Sequence, residues 1–244
     1  YGVRKVWQQL KREGYVIARC TVARLMQKLG IQGVWRGKNK QTTRSRDDQK
    51  RADDLVKRNF SADRPDQLWV SDFTYIQTHS GWVYTAFIID VFSRAIVGWK
   101  VSTRMNTDMV LDALEQALHD RGMPKNVIHH SDRGVQYLSI RYTNRLEAAN
   151  LRASVGTTGD SYDNALAETV NGLYKTEVIE YLKADWQGLA DVQLATLNWV
   201  DWFNNRRLLG PIGNIPPAEA EENFYVQRDE FDMVAQDRNR SVDG

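Results

Sequence analysis

The chain has 244 residues, 42 % of them apolar and eight of them tryptophan, enough for one sizeable core and a small accessory unit. It holds no run of about 18 apolar residues and no charged-then-apolar leader, which excludes a membrane-spanning helix and a secretory signal. The net charge of +2 hides an asymmetry: residues 1–60 carry 16 Lys/Arg against 5 Asp/Glu, and the other 184 carry 17 against 26. A basic arm on an acidic body is expected where one end meets a polyanion such as nucleic acid, the plainer alternative being a solvated linker.

In chain order, Val3, Val6, Trp7 and Leu10 make one apolar helix stripe, ended by Gly14. Val22, Leu25, Met26 and Leu29 repeat the spacing up to Gly30. Two short amphipathic helices joined by a turn suggest a helix-turn-helix-like unit over residues 1–35. Arg24 and Lys28 lie on the outer side of its second helix, where DNA would be met, although a helical pair can also be only a packing unit. The lone Cys20 cannot form an internal disulfide and suits a reducing, intracellular setting. The chain opens at Tyr1 rather than methionine, as a fragment or a processed chain would. Residues 36–59 read as an exposed basic linker in which Arg36, Lys38 and Lys40 are placed to follow a phosphate backbone.

The body spans 60–225. Residues 67–78, 82–93 and 95–102 are rich in aromatic and β-branched side chains and predict three antiparallel strands. A helix over 108–121 then leads to a fourth strand, "NVIHHS", reached by a crossover and so parallel to a neighbour. A helix near 139–149, a short strand "LRASV" and two long helices over 163–181 and 186–204 follow, then a polar tail over 226–244. The order predicts an α/β fold of the ribonuclease H-like kind, a mixed sheet flanked by helices.

Three acids hold related positions. Asp72 lies inside the first strand, Asp132 ends the fourth, and Glu168 lies on a long helix. A charge inside a folded sheet costs several kcal/mol unless it is partnered. No lysine or arginine close in sequence serves all three, whereas a divalent cation would. At about 100° per residue, Glu168 and Lys175 share a helix face opposite the apolar stripe, with Gly172 leaving that face bare. The plain alternative is that both are ordinary exposed residues. Glu177 falls inside the apolar stripe without explanation. His129 and His130 read as packed, hydrogen-bonded residues rather than ligands. Asp90 and Arg94 read as a structural pair, and Asp163 and Asn164 as helix caps.

Thirty-five residues separate Asp132 from Glu168, and Lys175 follows Glu168 by seven. With "QLWVSDFTYI", "IIDVFSRAIVGW", "HHSDRGVQY", "DSYDNALAETVNGLYKTE" and "FNNRR…IPPAEAE", the sequence resembles the DDE transposases of bacterial insertion sequences. These belong to the integrase catalytic core superfamily, and the likeness is to the larger frame of the frameshifting, two-reading-frame kind. It covers roughly residues 1 to 225, with Leu208 where the family often has a histidine. The resemblance implies Mg²⁺-dependent DNA cleavage at element ends and strand transfer. It implies that Asp72, Asp132 and Glu168 are the catalytic residues and hold two Mg²⁺ ions, with Mn²⁺ as a substitute, and that Lys175 binds a phosphate. It also implies double-stranded DNA as substrate, a homo-oligomer on DNA, an upstream reading-frame segment as partner, and a cytoplasmic, nucleoid-associated location in bacteria. Two alternatives remain: a catalytically inactive DNA-binding regulator or remnant, and a hydrolase of RNA in hybrids.

Overall fold

Five strands form one sheet in the computed structural model, which describes residues 1–34, 56, 60–132, 134–155, 165–182 and 185–242. The strands are β1 (Leu68–Thr78), β2 (Gly81–Asp90), β3 (Ile96–Ser102), β4 (Ile128–Ser131) and β5 (Arg152–Val155), in the order β3-β2-β1-β4-β5. β1, β2 and β3 pair antiparallel, and β4 and β5 are parallel to β1. Residues 85–90 of β2 are buried without alternation, because helices cover both sheet faces.

On one face, α3 (Thr107–Asp120) and α4 (Ile140–Ala148) pack on Trp69, Ile88 and Val97. Each helix starts where a side chain satisfies a free N–H: Asn106 accepts from the Met109 amide and Ser139 from the Tyr142 amide. Gly98 of β3 lets α3 approach closely, since a Cβ there would meet the Ala113 carbonyl oxygen at 2.3 Å. On the other face, α5 (Ala165–Tyr174), a π-helical turn (Lys175–Glu180) and α6 (Leu189–Asn205) enclose Val70, Phe87, Tyr174 and Trp199.

The N-terminal unit is α1 (Val3–Arg12) and α2 (Arg19–Lys28). Gly14 and Gly30 take the positive φ values of 87° and 65° that end these helices. Of the second stripe only Val22 and Met26 are buried, and Leu25 and Leu29 are exposed. The unit rests on the body through Tyr1, whose hydroxyl accepts from the Leu208 amide at 2.7 Å, and through an Arg12–Glu219 ion pair. Leu208 is fully buried.

The polar tail expected from residue 226 is instead part of α7 (Pro217–Val242). No glycine or proline occurs between Pro217 and Gly244 to stop the helix. The expected linker over 36–59, apart from Val56, and the expected caps Asp163 and Asn164 lie outside the described residues.

Candidate active site

Side chains alternate across a strand, so Asp72 projects to the same face of β1 as Val70, toward α5. β1 and β4 run parallel with Ser71 opposite Ser131, the last paired residues. Asp132 follows Ser131 directly, so it leaves the end of β4 beside Asp72 in the interior of β1, on neighbouring strands about 4.8 Å apart. The Asp72 carboxylate accepts from the Phe73 amide and from the Asn171 side-chain amide, both at 2.8 Å. Asp132 accepts from the Gly134 amide at 2.9 Å, so it also caps the turn that ends its strand. A Cβ on Gly134 would come within 3.0 Å of the same carboxylate oxygen.

Glu168 lies in the first turn of α5, exposed, one helical turn before Asn171. The Asp72 carboxyl is pushed up to about 8, by burial first and by the charges of Asp132 and Glu168, against the two amide donors that hold it down. Burial also raises Asp132, against the Gly134 N–H. Among the described residues no lysine or arginine pairs with Asp72 or Asp132. Asp72 and Asp132 therefore lie close together with no described cationic side chain to neutralise them.

As donors, these are hard carboxylate oxygens, the chemistry that suits Mg²⁺ or Mn²⁺. Among the described residues, no three His, Cys, Asp or Glu side chains are gathered closely enough to hold a metal ion. Asp72 and Asp132 are brought together by sheet register, while Glu168 reaches Asp72 by its field.

Lys175 is the first residue of the π-helical turn, its Nζ 4.6 Å from the centre of the Tyr75 ring. Arg24 and Lys28 are exposed on α2. Arg36, Lys38 and Lys40 lie outside the described residues. His129 and His130 are buried; His129 shares a hydrogen bond with the Tyr142 hydroxyl at 3.1 Å, and His130 with Ser154 Oγ at 2.9 Å. Burial, then the neighbouring His130, lowers His129 to about 3, so it is neutral at ordinary pH.

Asp90 and Arg94 pair through the backbone rather than as an ion pair, the Arg94 amide donating to the Asp90 carbonyl at 2.9 Å. Asp90 is fully buried and accepts from the amides of Ser93 and Asp66 at 2.8 Å, with no ion pair to Arg94. Arg94 has a positive φ of 67°. Asn171 is a site residue that sequence reasoning missed: its place three positions after Glu168 puts it on the same side of the helix but does not say which strand it meets. A cavity of about 1010 Å³ lined by Tyr1, Lys5, Leu194, Trp202 and Arg207 lies elsewhere, and none of the three acids lines it.

The integrase core domain family matches residues 62–161, a second integrase core domain family matches 149–217, and an HTH-like domain family matches 1–39. The chain is 59 % identical over 235 residues to the transposase for insertion sequence element IS629 of Shigella sonnei, covering 96 % of this chain and 78 % of that one. It is 37 % identical over 179 residues to transposase InsF for insertion sequence IS3A of Escherichia coli K12, covering 73 % and 62 %. The fold is shared with a chain of the simian T-cell lymphotropic virus intasome solved with PP2A regulatory subunit B56 gamma. The TM-score there is 0.56 at 17 % identity, over 65 % of this chain and 55 % of that one. It is shared too with the HTLV-2 integrase catalytic core domain solved with magnesium in its trimeric form, at TM-score 0.53 and 18 % identity over 66 % and 99 %. The chain belongs to the transposases of bacterial insertion sequences, with an integrase core preceded by an HTH-like domain.

Proposed function

We propose that this transposase cuts DNA at the ends of its element and joins the freed ends to a target, with Asp72, Asp132 and Glu168 as the catalytic acids. The observation that supports it is the placement of Asp132, at the end of β4, beside Asp72 inside the parallel neighbour β1, with Asp72 pushed up to about 8 by burial and by the charges of its neighbours. Carboxylates kept in that state waste folding energy unless a cation is their purpose.

Bound there, two Mg²⁺ or Mn²⁺ ions would stabilise the attacking and the leaving oxygen of an in-line displacement at phosphorus. The chain's own residues set the geometry. The Phe73 and Asn171 amides fix both oxygens of Asp72, and the Gly134 amide fixes Asp132. Glu168 faces the reacting phosphate from α5, and Lys175 binds a neighbouring phosphate. Water attacks the phosphodiester first: a P–O bond forms, the bond to the 3′ oxygen breaks, and a 3′-OH is freed. That 3′-OH then attacks a second phosphodiester, whose own 3′ oxygen departs. No covalent enzyme intermediate is formed.

In this reading residues 1–35 with Arg24 and Lys28, and the basic linker 36–59 with Arg36, Lys38 and Lys40, hold double-stranded DNA for the core at 60–225. The protein works as a homo-oligomer on DNA at the bacterial nucleoid, beside an upstream segment produced by frameshifting. The test is Asp132→Asn in an assay with element ends and Mg²⁺. DNA binding is retained, and cleavage and joining fall at least a thousandfold. Undiminished joining would overturn the assignment of Asp132. A wild-type chain that binds ends yet never cuts them, even with Mn²⁺, would favour an inactive DNA-binding remnant.

A further inference from the structure

β4 ends at Ser131, so among the described residues β1 beyond Ser71 has no strand partner on that side. Among the described residues, 72–78 therefore form an edge of the sheet beside α5, whose Asn171 bonds Asp72 and which leads into the π-helical turn. Asp72 leaves this edge on the α5 face. About 10 Å further along the strand, on the opposite face, stands Tyr75. Tyr75 pairs with Tyr84 and Gln77 with Trp82, so Tyr75 and Trp82 are diagonal neighbours on one surface. Their rings meet edge to face at 5.4 Å, yet Tyr75 remains 41 % exposed and Trp82 49 %. Lys175 reaches across the edge and sets its ammonium 4.6 Å from the Tyr75 ring centre.

The hairpin that carries these rings is tied down at its tip. The amides of His79 and Ser80 donate to the carbonyls of Trp186 and Gln187 at 2.9 and 3.1 Å, and Ser80 Oγ donates to the Gln187 carbonyl at 2.6 Å. Two large aromatics left half-bare on a rigid hairpin, with a cation at one ring and the acids around the edge, match what a nucleotide needs. An aromatic face takes an unstacked base, and an ammonium takes its phosphate.

We propose that Tyr75, Trp82 and Lys175 form a platform that captures one unstacked nucleotide of the DNA next to the bond being cut, so that the strand bends around the β1 edge into the acids. This rests on the transposase reading of Asp72, Asp132 and Glu168. The platform lowers the effort of fraying a paired DNA end, and its effect vanishes when the end is already unpaired.

The test compares cleavage by the full chain of element ends that are fully paired with ends whose terminal nucleotides are mismatched. Trp82→Ala loses about tenfold on paired ends and regains most of it on mismatched ends, and Trp82→Phe, which keeps an aromatic face, retains most activity on both. In a second arm, 5-iododeoxyuridine placed beside the cleaved bond is irradiated with wild-type protein in the absence of metal, and the adduct maps to Tyr75 or Trp82. Equal loss on paired and mismatched ends would mean the rings serve only the hairpin, and that result overturns the platform, as does cross-linking confined to other residues. A wild-type chain that cuts neither substrate yet cross-links at Tyr75 or Trp82 counts against the catalytic reading and leaves the platform standing.

Discussion

Asn171 decides how Asp72 is presented. Its side-chain amide donates to one Asp72 oxygen at 2.8 Å and leaves the other to the Phe73 amide, so the carboxylate cannot rotate freely. In the proposed reaction, a positioning partner of this kind tunes a metal ligand it never replaces. Asn171→Ala should therefore leave metal-free DNA binding unchanged and raise the Mg²⁺ needed for half-maximal cleavage about 10- to 100-fold. An unaltered Mg²⁺ titration would show that Asp72 is held by its strand alone. Asp72 and Asp132 stood out in the sequence because each lies in or at the end of a strand, where charge is expensive, whereas Glu168, exposed in the first turn of α5, stood out only by its spacing and the family resemblance. Asn171 did not, because one polar residue on a helix gives no hint of which strand it faces. Glu177 was visible only as an anomaly in the apolar stripe. Its reason is Arg207, 5 % exposed in its side chain, which pairs with it, while Trp199 Nε1 donates to the same carboxylate at 3.1 Å. That partner lies 30 residues away in sequence, beyond the reach of any local pattern.

At the scale of elements, the fold depends on how tightly helices lie on the sheet. Gly98 is the closest approach of α3 to β3: a Cβ would stand 2.3 Å from the Ala113 carbonyl oxygen and 2.9 Å from the Ala117 methyl. The first contact is backbone, which cannot swing aside. Gly98→Ala should destabilise the fold by about 1–3 kcal/mol, read as a lower midpoint in urea unfolding with an unchanged slope. A variant as stable as the wild type would mean that α3 shifts at no cost. The strands themselves were readable from aromatic and β-branched runs, and the parallel placement of β4 from the helix that precedes it. The π-helical turn at Lys175–Glu180 was not. A 100° wheel assumes regular spacing, and one extra residue in a turn rotates every later position. α7 was misread for a related reason: its polar composition looked like a tail, whereas the absence of any glycine or proline before Gly244 was the informative feature.

Across the whole molecule, one charged network ties the start of β1, the end of β2, the end of α3 and the start of α7 together. Arg121 holds Asp66 through Nε at 2.9 Å and Glu221 through Nη1 at 2.6 Å. Ser93 Oγ lies 3.0 Å from Asp90 and 2.7 Å from Glu221. A hydroxyl has one proton and cannot donate to two carboxylates at once. The arrangement is complete when Asp90 is protonated and donates to Ser93 Oγ, which then donates to Glu221. Burial, the largest effect, does push Asp90 up to about 6, with the Glu221 charge adding to it and the Ser93 and Asp66 donors opposing. An acid raised on folding binds its proton more tightly in the native state. Its contribution to stability is therefore fully present below the unfolded value of about 3.9 and is lost as pH rises toward 6. Asp90→Asn cannot titrate, so the stability gap between wild type and variant should widen by about 1 kcal/mol between pH 7 and pH 5. Other acids titrate as well: Glu115 is lowered by its bond to Arg145 and its contribution is lost on acidification, while Asp72 and Asp132 are raised. They do so equally in both proteins and drop out of the difference. Urea unfolding of the pair at the two pH values measures it, and a gap that stays constant would place the shared proton elsewhere than on Asp90.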